Sequence, residues 1–139
     1  MDAVHFLDGL LQQLAERYPD VEIEVKPGLE VPDIMVVTLE RGPEYPFVQL
    51  FTAEGSAIST AIVASRYTFD NLLTSELLEF VASLYESRFT LRVRRFPWKV
   101  LSLTVAFNEL SQSVAARYLA SDIDQWEAAA LARQNPPRG

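Results

Sequence analysis

Apolar and polar residues alternate along several short segments of the chain, and this pattern constrains the fold more than any other feature of the sequence. From Val21 to Lys26, valine and isoleucine occupy every second position and charged residues stand between them. The same period of two recurs at Phe89–Arg94 and at Leu101–Phe107. Because successive side chains of a strand point to opposite faces of its sheet, each segment is predicted to be a strand with one buried face.

Three more strands are predicted between the first alternating segment and residue 65. They are Ile34–Glu40, Pro46–Thr52 and Ala57–Ser65, all rich in β-branched or aromatic residues. The connections Arg41–Glu44 and Ala53–Ser56 are short. Short connections join neighbouring strands, so these segments are expected to form an antiparallel meander.

Apolar residues recur at helical spacing in three segments, residues 2–18, 74–86 and 108–133. Within the third segment, Ser121 followed by Asp124 resembles a capping box, so the last helix is predicted to restart or kink there. The predicted element order is α-β-β-β-β-α-β-β-α. The expected fold class is α+β, with a single antiparallel sheet of five or six strands flanked by three or four helices.

One domain is expected, because 139 residues with an apolar share of 49% suffice for one hydrophobic core. This domain is predicted to span residues 1–133, and residues 134–139 are predicted to be a flexible tail. The chain has no cysteine, which excludes disulfides and thiolate sites and favours a cytoplasmic location. The sequence shows neither a secretory signal nor an apolar run of the ~18 residues that a membrane span needs, so no membrane association is expected.

The chain offers few groups suited to catalysis. His5 is the only histidine, so a metal site built from several imidazoles is excluded. The five glycines are not clustered, and no phosphate-binding loop or nucleophile elbow occurs. The carboxylates have simpler explanations: Glu22 and Glu24 lie on the polar face of a strand, and Glu76 and Glu79 lie at a helix start. The sequence therefore predicts no enzyme activity, no cofactor and no metal site.

Positive charge is concentrated in one part of an otherwise acidic chain. Residues 88–99, called the basic segment below, contain five of the twelve lysines and arginines, whereas residues 1–87 have a net charge of −11. A hairpin of the two alternating strands would place arginines on its polar face and aromatic rings at its turn. The candidate protein-binding residues are Arg92, Arg94, Arg95, Phe96, Trp98 and Lys99.

Three interpretations of the basic segment remain open. In the first, Arg88, Arg92 and Arg94 pair with acidic side chains of the same sheet or of a second subunit. In the second, Phe96 and Trp98 anchor a partner protein that the arginines steer, since Trp and Arg are frequent hot spots. In the third, single-stranded nucleic acid stacks its bases on the two rings, although the net charge of −7 disfavours it. An open edge of this hairpin could also pair with a second subunit or an extended client.

The order of elements from Asp33 to Glu127 carries a family resemblance. The run Leu77–Val81 of the second predicted helix leads through Tyr85 into the strand residues Phe89–Val93. The strand Leu101–Ala106 is followed directly by a predicted helix. This order resembles the YbjN-like proteins, within the wider group that shares the type III secretion chaperone (Tir-chaperone-like) fold. That group has a helix, three meandering strands, a helix, a two-strand hairpin and a last helix, so the strand Val21–Lys26 would be an addition.

The resemblance implies a homodimer that binds other proteins and has no enzyme activity. It implies extended client segments bound along the sides in the chaperone branch, and a stress-related or regulatory role in the YbjN branch. The implied dimer interface surrounds the second helix and the hairpin after it, with residues Leu77, Val81, Leu84, Arg88 and Thr90. The predicted function is a protein-binding adaptor or chaperone-like homodimer. The alternative is a small accessory protein that binds single-stranded nucleic acid through residues 88–99.

Overall fold

Two antiparallel sheets and three helices share one hydrophobic core. The structure, a computed structural model, describes residues 3–28, 34–53, 55–110 and 113–134, with side chains from Leu7 onward. The elements in chain order are α1 (Ala3–Arg17), β1 (Glu22–Pro27), β2 (Ile34–Glu40), β3 (Val48–Ala53), β4 (Ile58–Val63), β5 (Tyr67–Leu73), a 3-10 turn (Thr74–Glu76), α2 (Leu77–Tyr85), β6 (Thr90–Arg95), β7 (Val100–Phe107), β8 (Val114–Tyr118) and α3 (Gln125–Gln134). The predicted α+β class is confirmed.

The strands form two sheets where the sequence predicted one. Strands β1 to β5 follow one another in sequence order as a five-stranded meander, and β6, β7 and β8 form a separate three-stranded meander. Strands β5 and β8 lie side by side where the two sheets meet, with the rings of Tyr67 and Tyr118 6.2 Å apart. The described residues therefore contain eight strands rather than five or six.

Strand β5 was not predicted, and two local features hid it from the sequence. Ala64 and Ser65 both have a φ of +56°, as in a tight hairpin turn that Asn or Gly would usually mark. The register of β4 with β5 also shifts between Ser59 and Ala61. Because of this shift, the buried positions of β5 do not keep a strict period of two.

The predicted helix over residues 108–133 is wrong in its first half. Val114–Tyr118 is strand β8, which pairs antiparallel with β7. Val114, Ala116 and Tyr118 are half-buried and the residues between them are exposed, so this segment also fits a period of two. Two alanines, which are strong helix formers, favoured the helical interpretation. Pairing with β7 overrode that preference.

Helix α3 begins three residues later than the predicted capping box would place it. The capping hydrogen bond joins Asp124 and Glu127, not Ser121 and Asp124: the backbone N–H of Asp124 donates to the Glu127 carboxylate at 2.7 Å, which is one of the two bonds of a capping box. At the other end, Gln134 is the last residue of α3 and not part of a tail. Residues 135–139, also assigned to that tail, lie outside the described residues.

Three phenylalanines join the two sheets to α2 at the centre of the core. The ring centroid of Phe80 in α2 lies 5.3 Å from that of Phe69 in β5 and 4.7 Å from that of Phe107 in β7. Phe69 and Phe107 are themselves 5.4 Å apart. All three side chains are buried. This contact fixes the three-stranded sheet, which carries the basic segment, against the rest of the molecule.

Candidate functional site

The predicted hairpin of the basic segment is present, with one apolar and one arginine face. Strands β6 and β7 are antiparallel, with Arg92 opposite Thr104. Leu91 is buried and Val93 is half-buried, whereas Arg92 and Arg94 are exposed. The alternation in the sequence therefore predicted correctly which side chains of β6 face the core.

The turn of this hairpin holds two aromatic rings in solvent. Phe96 is 74% exposed and Trp98 is 82% exposed. The backbone N–H of Phe96 donates to the carbonyl oxygen of Lys99 at 2.9 Å and closes the turn. Arg95 and Lys99 are exposed beside the rings. We call Arg95–Lys99 the hairpin tip; it combines exposed apolar area with positive charge.

Arg117 belongs to the same surface, although it was not selected from the sequence. In β7, Thr104 lies opposite Arg92 on one side and opposite Arg117 on the other. Residues directly opposite each other share a face, so the outer face of the three-stranded sheet carries Arg92, Arg94 and Arg117. We call these three the basic face. The sequence missed Arg117 because residues 114–118 were predicted to be helical.

Arg88 is occupied by ion pairs inside the chain. Its guanidinium lies 3.5 Å from the carboxylate of Glu79, 3.4 Å from that of Glu109 and 3.9 Å from that of Glu86. The first of the three interpretations, internal pairing with acidic residues, thus applies to Arg88. Its partners lie on α2 and in the segments that flank β6 and β7.

The other cations of the basic segment have no such partners within the described part of the chain. No described carboxylate lies within 4.0 Å of the charged groups of these residues, which are Arg92, Arg94, Arg95 and Lys99. All four are exposed. Their charge therefore faces solvent and can act on a partner.

The residues implied for a dimer interface do not form one exposed surface. Leu77, Val81 and Leu84 are fully buried in the subunit's own core, and Arg88 and Thr90 are partly exposed. Helix α2 is buried along nearly its whole length, so it is a central helix rather than one with a free apolar face. Leu77, Val81 and Leu84 have no exposed surface that a second subunit could contact, so we do not assign them to an interface.

A second polar cluster surrounds Arg41. Its guanidinium carbon is 4.5 Å from the ring centroid of Tyr45, 5.0 Å from that of Tyr18 and 5.1 Å from that of Tyr85. Its Nε donates to the carboxylate of Asp20 at 3.0 Å. A guanidinium of the same chain already fills the space between the rings, so this cluster ties the ends of α1, β2 and α2 together.

Tyr18 also joins the end of α1 to the end of α2 through Glu86. The Tyr18 hydroxyl donates to the Glu86 carboxylate, which also accepts from Arg17 at 2.8 Å. The hydrogen bond from Tyr18, helped by Arg17 and Arg88, holds the pKa of Glu86 below its ordinary value. Burial and the Glu86 carboxylate raise the pKa of Tyr18 to about 12. The ionised carboxylate and the neutral phenol therefore stabilise each other.

Replacing Tyr18 with phenylalanine is expected to raise the pKa of Glu86 towards its ordinary value of 4.5, because the largest cause of its depression is lost. A carboxyl group whose pKa is lower in the folded state stabilises that state above its unfolded pKa. This contribution is lost as the pH falls through the folded pKa. In Tyr18→Phe, stability should therefore depend less on pH in this acidic range. The side-chain carboxyl shift of Glu86, followed by NMR against pH, measures the change.

Tyr45→Phe is the matched control, since the Tyr45 ring lies in the same cluster and its hydroxyl has no described bond to Glu86. An identical titration of Glu86 in the wild type and in Tyr18→Phe would contradict the assigned cause.

The described residues offer neither a metal-binding group of side chains nor a membrane-spanning helix. They contain no group of three or more histidine, aspartate or glutamate side chains placed to hold a metal ion. They also contain no helix with the length and apolar character needed to cross a membrane. The side chain of His5 lies outside the described residues.

Comparisons with protein-family models, curated proteins and solved structures found no match to the chain. The observed element order includes β1, β5 and β8 in addition to the pattern of the YbjN-like and secretion-chaperone group. The resemblance inferred from the sequence therefore stays a prediction.

Proposed function

We propose that this protein is a non-catalytic, chaperone-like adaptor that acts as a homodimer and binds another protein through its hairpin tip. The observation that carries the proposal is the exposure of Phe96 and Trp98 beside cations that have no described ion pair. Large aromatic rings at such exposure leave apolar area in water that a partner can cover. Trp, Phe and Arg are also enriched where protein interfaces gain most of their binding free energy.

A cytoplasmic location and a regulatory or stress-related role complete the proposal. The location is supported by the absence of cysteine, which suits a reducing compartment. The role is supported by the resemblance to the YbjN-like group alone. The homodimer is supported by the same resemblance.

Single-stranded nucleic acid is the second candidate partner, because arginines can bind phosphates while exposed rings stack on bases. The placement of the rings favours a protein. Phe96 and Trp98 lie only at the tip, and the middle of the basic face carries Thr104 and Ala106, which provide no stacking surface. The net charge of −7 adds repulsion of a polyanion over the rest of the molecule.

Replacing both Phe96 and Trp98 with alanine is expected to abolish partner binding and to leave the fold intact. Each exposed substitution should change the free energy of unfolding by less than about 0.5 kcal/mol. Loss of two hot-spot rings should weaken binding about 30-fold or more. The measurement is affinity capture from the native cell, followed by titration calorimetry with the purified partner. Ile58→Ala is the matched control, since Ile58 is an exposed apolar residue (43%) on β4.

Capture of the same partner by the wild type and Ile58→Ala, but not by the double variant, would support the proposal. Equal capture by all three proteins would reject the tip as the binding site. If nucleic acid is captured instead, and its affinity falls steeply with salt, the second candidate replaces the first.

A further inference from the structure

Strand β6 is an edge strand, and among the described residues its outer backbone groups are covered at one point. The side-chain amide of Gln134 in α3 accepts from the N–H of Leu91 at 2.8 Å and donates to the carbonyl oxygen of Leu91 at 3.0 Å. In an antiparallel pair, alternate residues direct both backbone groups to the same side. Val93 therefore directs its N–H and C=O to this open side, and no hydrogen bond among the described residues takes them.

Strand β1 is an open edge at the end of the other sheet. The N–H of Gly28 donates to the carbonyl oxygen of Ile34 at 2.6 Å, which shows which residues of this pair bond to β2. By the same alternation, Ile23 and Val25 direct their backbone groups away from β2. The described part of the molecule thus has two edges, β1 and β6, that can each accept another strand.

The side chains of the two edges are complementary in charge and in spacing. On β1, Glu22 and Glu24 are exposed and alternate with half-buried apolar residues. On β6, Arg92 and Arg94 are exposed and alternate with Leu91 and Val93. Both strands therefore present charge on the outer face of their sheet and apolar side chains on the inner face.

One antiparallel register brings all the opposite charges together. If Ile23 of one copy lies opposite Val93 of another, Glu24 lies opposite Arg92 and Glu22 lies opposite Arg94. Opposite charges placed directly across a strand pair stabilise it. In this register the free backbone groups of Ile23 and Val93 also face each other and can form a hydrogen-bonded pair. Val25 then lies opposite Leu91, where its backbone groups replace the side-chain amide of Gln134 as hydrogen-bond partners.

Pairing of like edges centred on Val93 or on Ile23 is disfavoured by the same side chains. Two β6 strands centred on Val93 would place Arg92 of each copy opposite Arg94 of the other. Two β1 strands centred on Ile23 would place Glu22 of each copy opposite Glu24 of the other. Like charges directly opposite destabilise a strand pair, so β6 repels a second β6 edge. Two β1 strands centred on Val25 would instead place Glu24 of each copy opposite Lys26 of the other, but Pro27, which would then face Ile23, has no N–H to donate.

We propose that copies of this chain associate by pairing β1 of one copy with β6 of another, with Ile23 aligned with Val93. The inference rests on the homodimer of the proposed function and gives it an interface in place of α2. Two such contacts related by a two-fold axis would close a dimer. The rings of Phe96 and Trp98 lie beyond the paired segment and stay available to the partner protein.

A charge-swap experiment tests this interface. One variant carries Arg92→Glu with Arg94→Glu, and a second carries Glu22→Arg with Glu24→Arg. Each variant alone has two edges of like charge and should associate at least about tenfold more weakly than the wild type. An equimolar mixture should regain association, because the reversed β6 of one variant fits the reversed β1 of the other. Sedimentation velocity at low and high salt measures the size.

The pair Asp8→Arg with Glu44→Arg is the control for overall charge, since it changes two exposed acids outside both edges. It should leave the association unchanged. A wild type that is monomeric at micromolar concentration, or a mixture that remains monomeric, would overturn the proposal. If the Glu22→Arg/Glu24→Arg variant is monomeric and still captures the partner through the tip, this interface and the proposed function are supported separately.

Disulfide cross-linking tests the register. The chain has no native cysteine, so only the introduced cysteines can react. A variant with Ile23→Cys and Val93→Cys should form disulfide-linked multimers under mild oxidation, since residues paired in this way have Cα atoms about 5.5 Å apart. A variant with Ala57→Cys and Val93→Cys should not form them, because Ala57 lies outside β1. Equal cross-linking in both variants would reject the register.

Discussion

Replacing Phe107 with alanine is expected to lower the free energy of unfolding by about 3–5 kcal/mol, the usual loss for a buried phenylalanine. Phe107 is fully buried, and its ring contacts those of Phe80 and Phe69 at centroid distances of 4.7 and 5.4 Å. These rings come from β7, α2 and β5. The cavity would open where both sheets meet the central helix, and close packing there prevents its collapse.

Urea denaturation followed by circular dichroism measures this loss. Phe96→Ala is the matched control, because it removes the same ring from an exposed position and should change the free energy of unfolding by less than about 0.5 kcal/mol. A loss below about 1 kcal/mol for Phe107→Ala would contradict a central role of this ring in joining the two sheets.

Replacing Glu127 with alanine is expected to cost about 3 kcal/mol of stability, near the lower end of the range for breaking a buried ion pair. Glu127 is fully buried and accepts hydrogen bonds from the Tyr67 hydroxyl, from Arg66 at 3.1 Å and from the N–H of Asp124. Arg66 keeps Asp122 and Asp124 as partners after the substitution, which limits the loss. The Tyr67 hydroxyl would be left buried without its acceptor.

Two further variants separate the contributions at this site. Glu127→Gln keeps one acceptor oxygen, for either the Tyr67 hydroxyl or the N–H of Asp124, and loses the charge, so its cost should be about 1–3 kcal/mol. Asp122→Ala removes an exposed partner of Arg66 and should cost less than about 1 kcal/mol. Burial, together with the Glu127 carboxylate, also raises the pKa of Tyr67. If Glu127→Ala leaves both the stability and the Tyr67 titration unchanged, this assignment is wrong.

The candidate site was largely predictable from the sequence because its pattern is local. The alternation from Phe89 to Arg94 indicated a strand with arginines on one face, and the break at Phe96-Pro97-Trp98 indicated the turn. The structure places both rings in solvent, as expected for a turn. Arg117 could not be assigned to this surface, because its contact with the site depends on pairing between β7 and β8.

The sequence also could not show which arginines of the basic segment form ion pairs inside the chain and which face solvent. Arg88 and Arg92 are both arginines of the basic segment, yet Arg88 lies among Glu79, Glu86 and Glu109, and Arg92 faces solvent. Two of these three acids are close to Arg88 in the chain, but the folding back of β7 brings the third. Proximity in space, rather than the composition of the segment, decides which cation is free to bind.

By itself, the sequence determined which faces of most strands and helices are buried, because a period of two or of 3.6 residues is written in neighbouring positions. It could not determine partners between elements. Val114–Tyr118 satisfies both periods, and only the free edge of β7 selects the extended form. Likewise Leu77, Val81 and Leu84 mark an apolar helix face, but only the packing of two sheets around α2 places that face in the subunit's own core. Tertiary structure decided these points because pairing and packing depend on residues far apart in the chain.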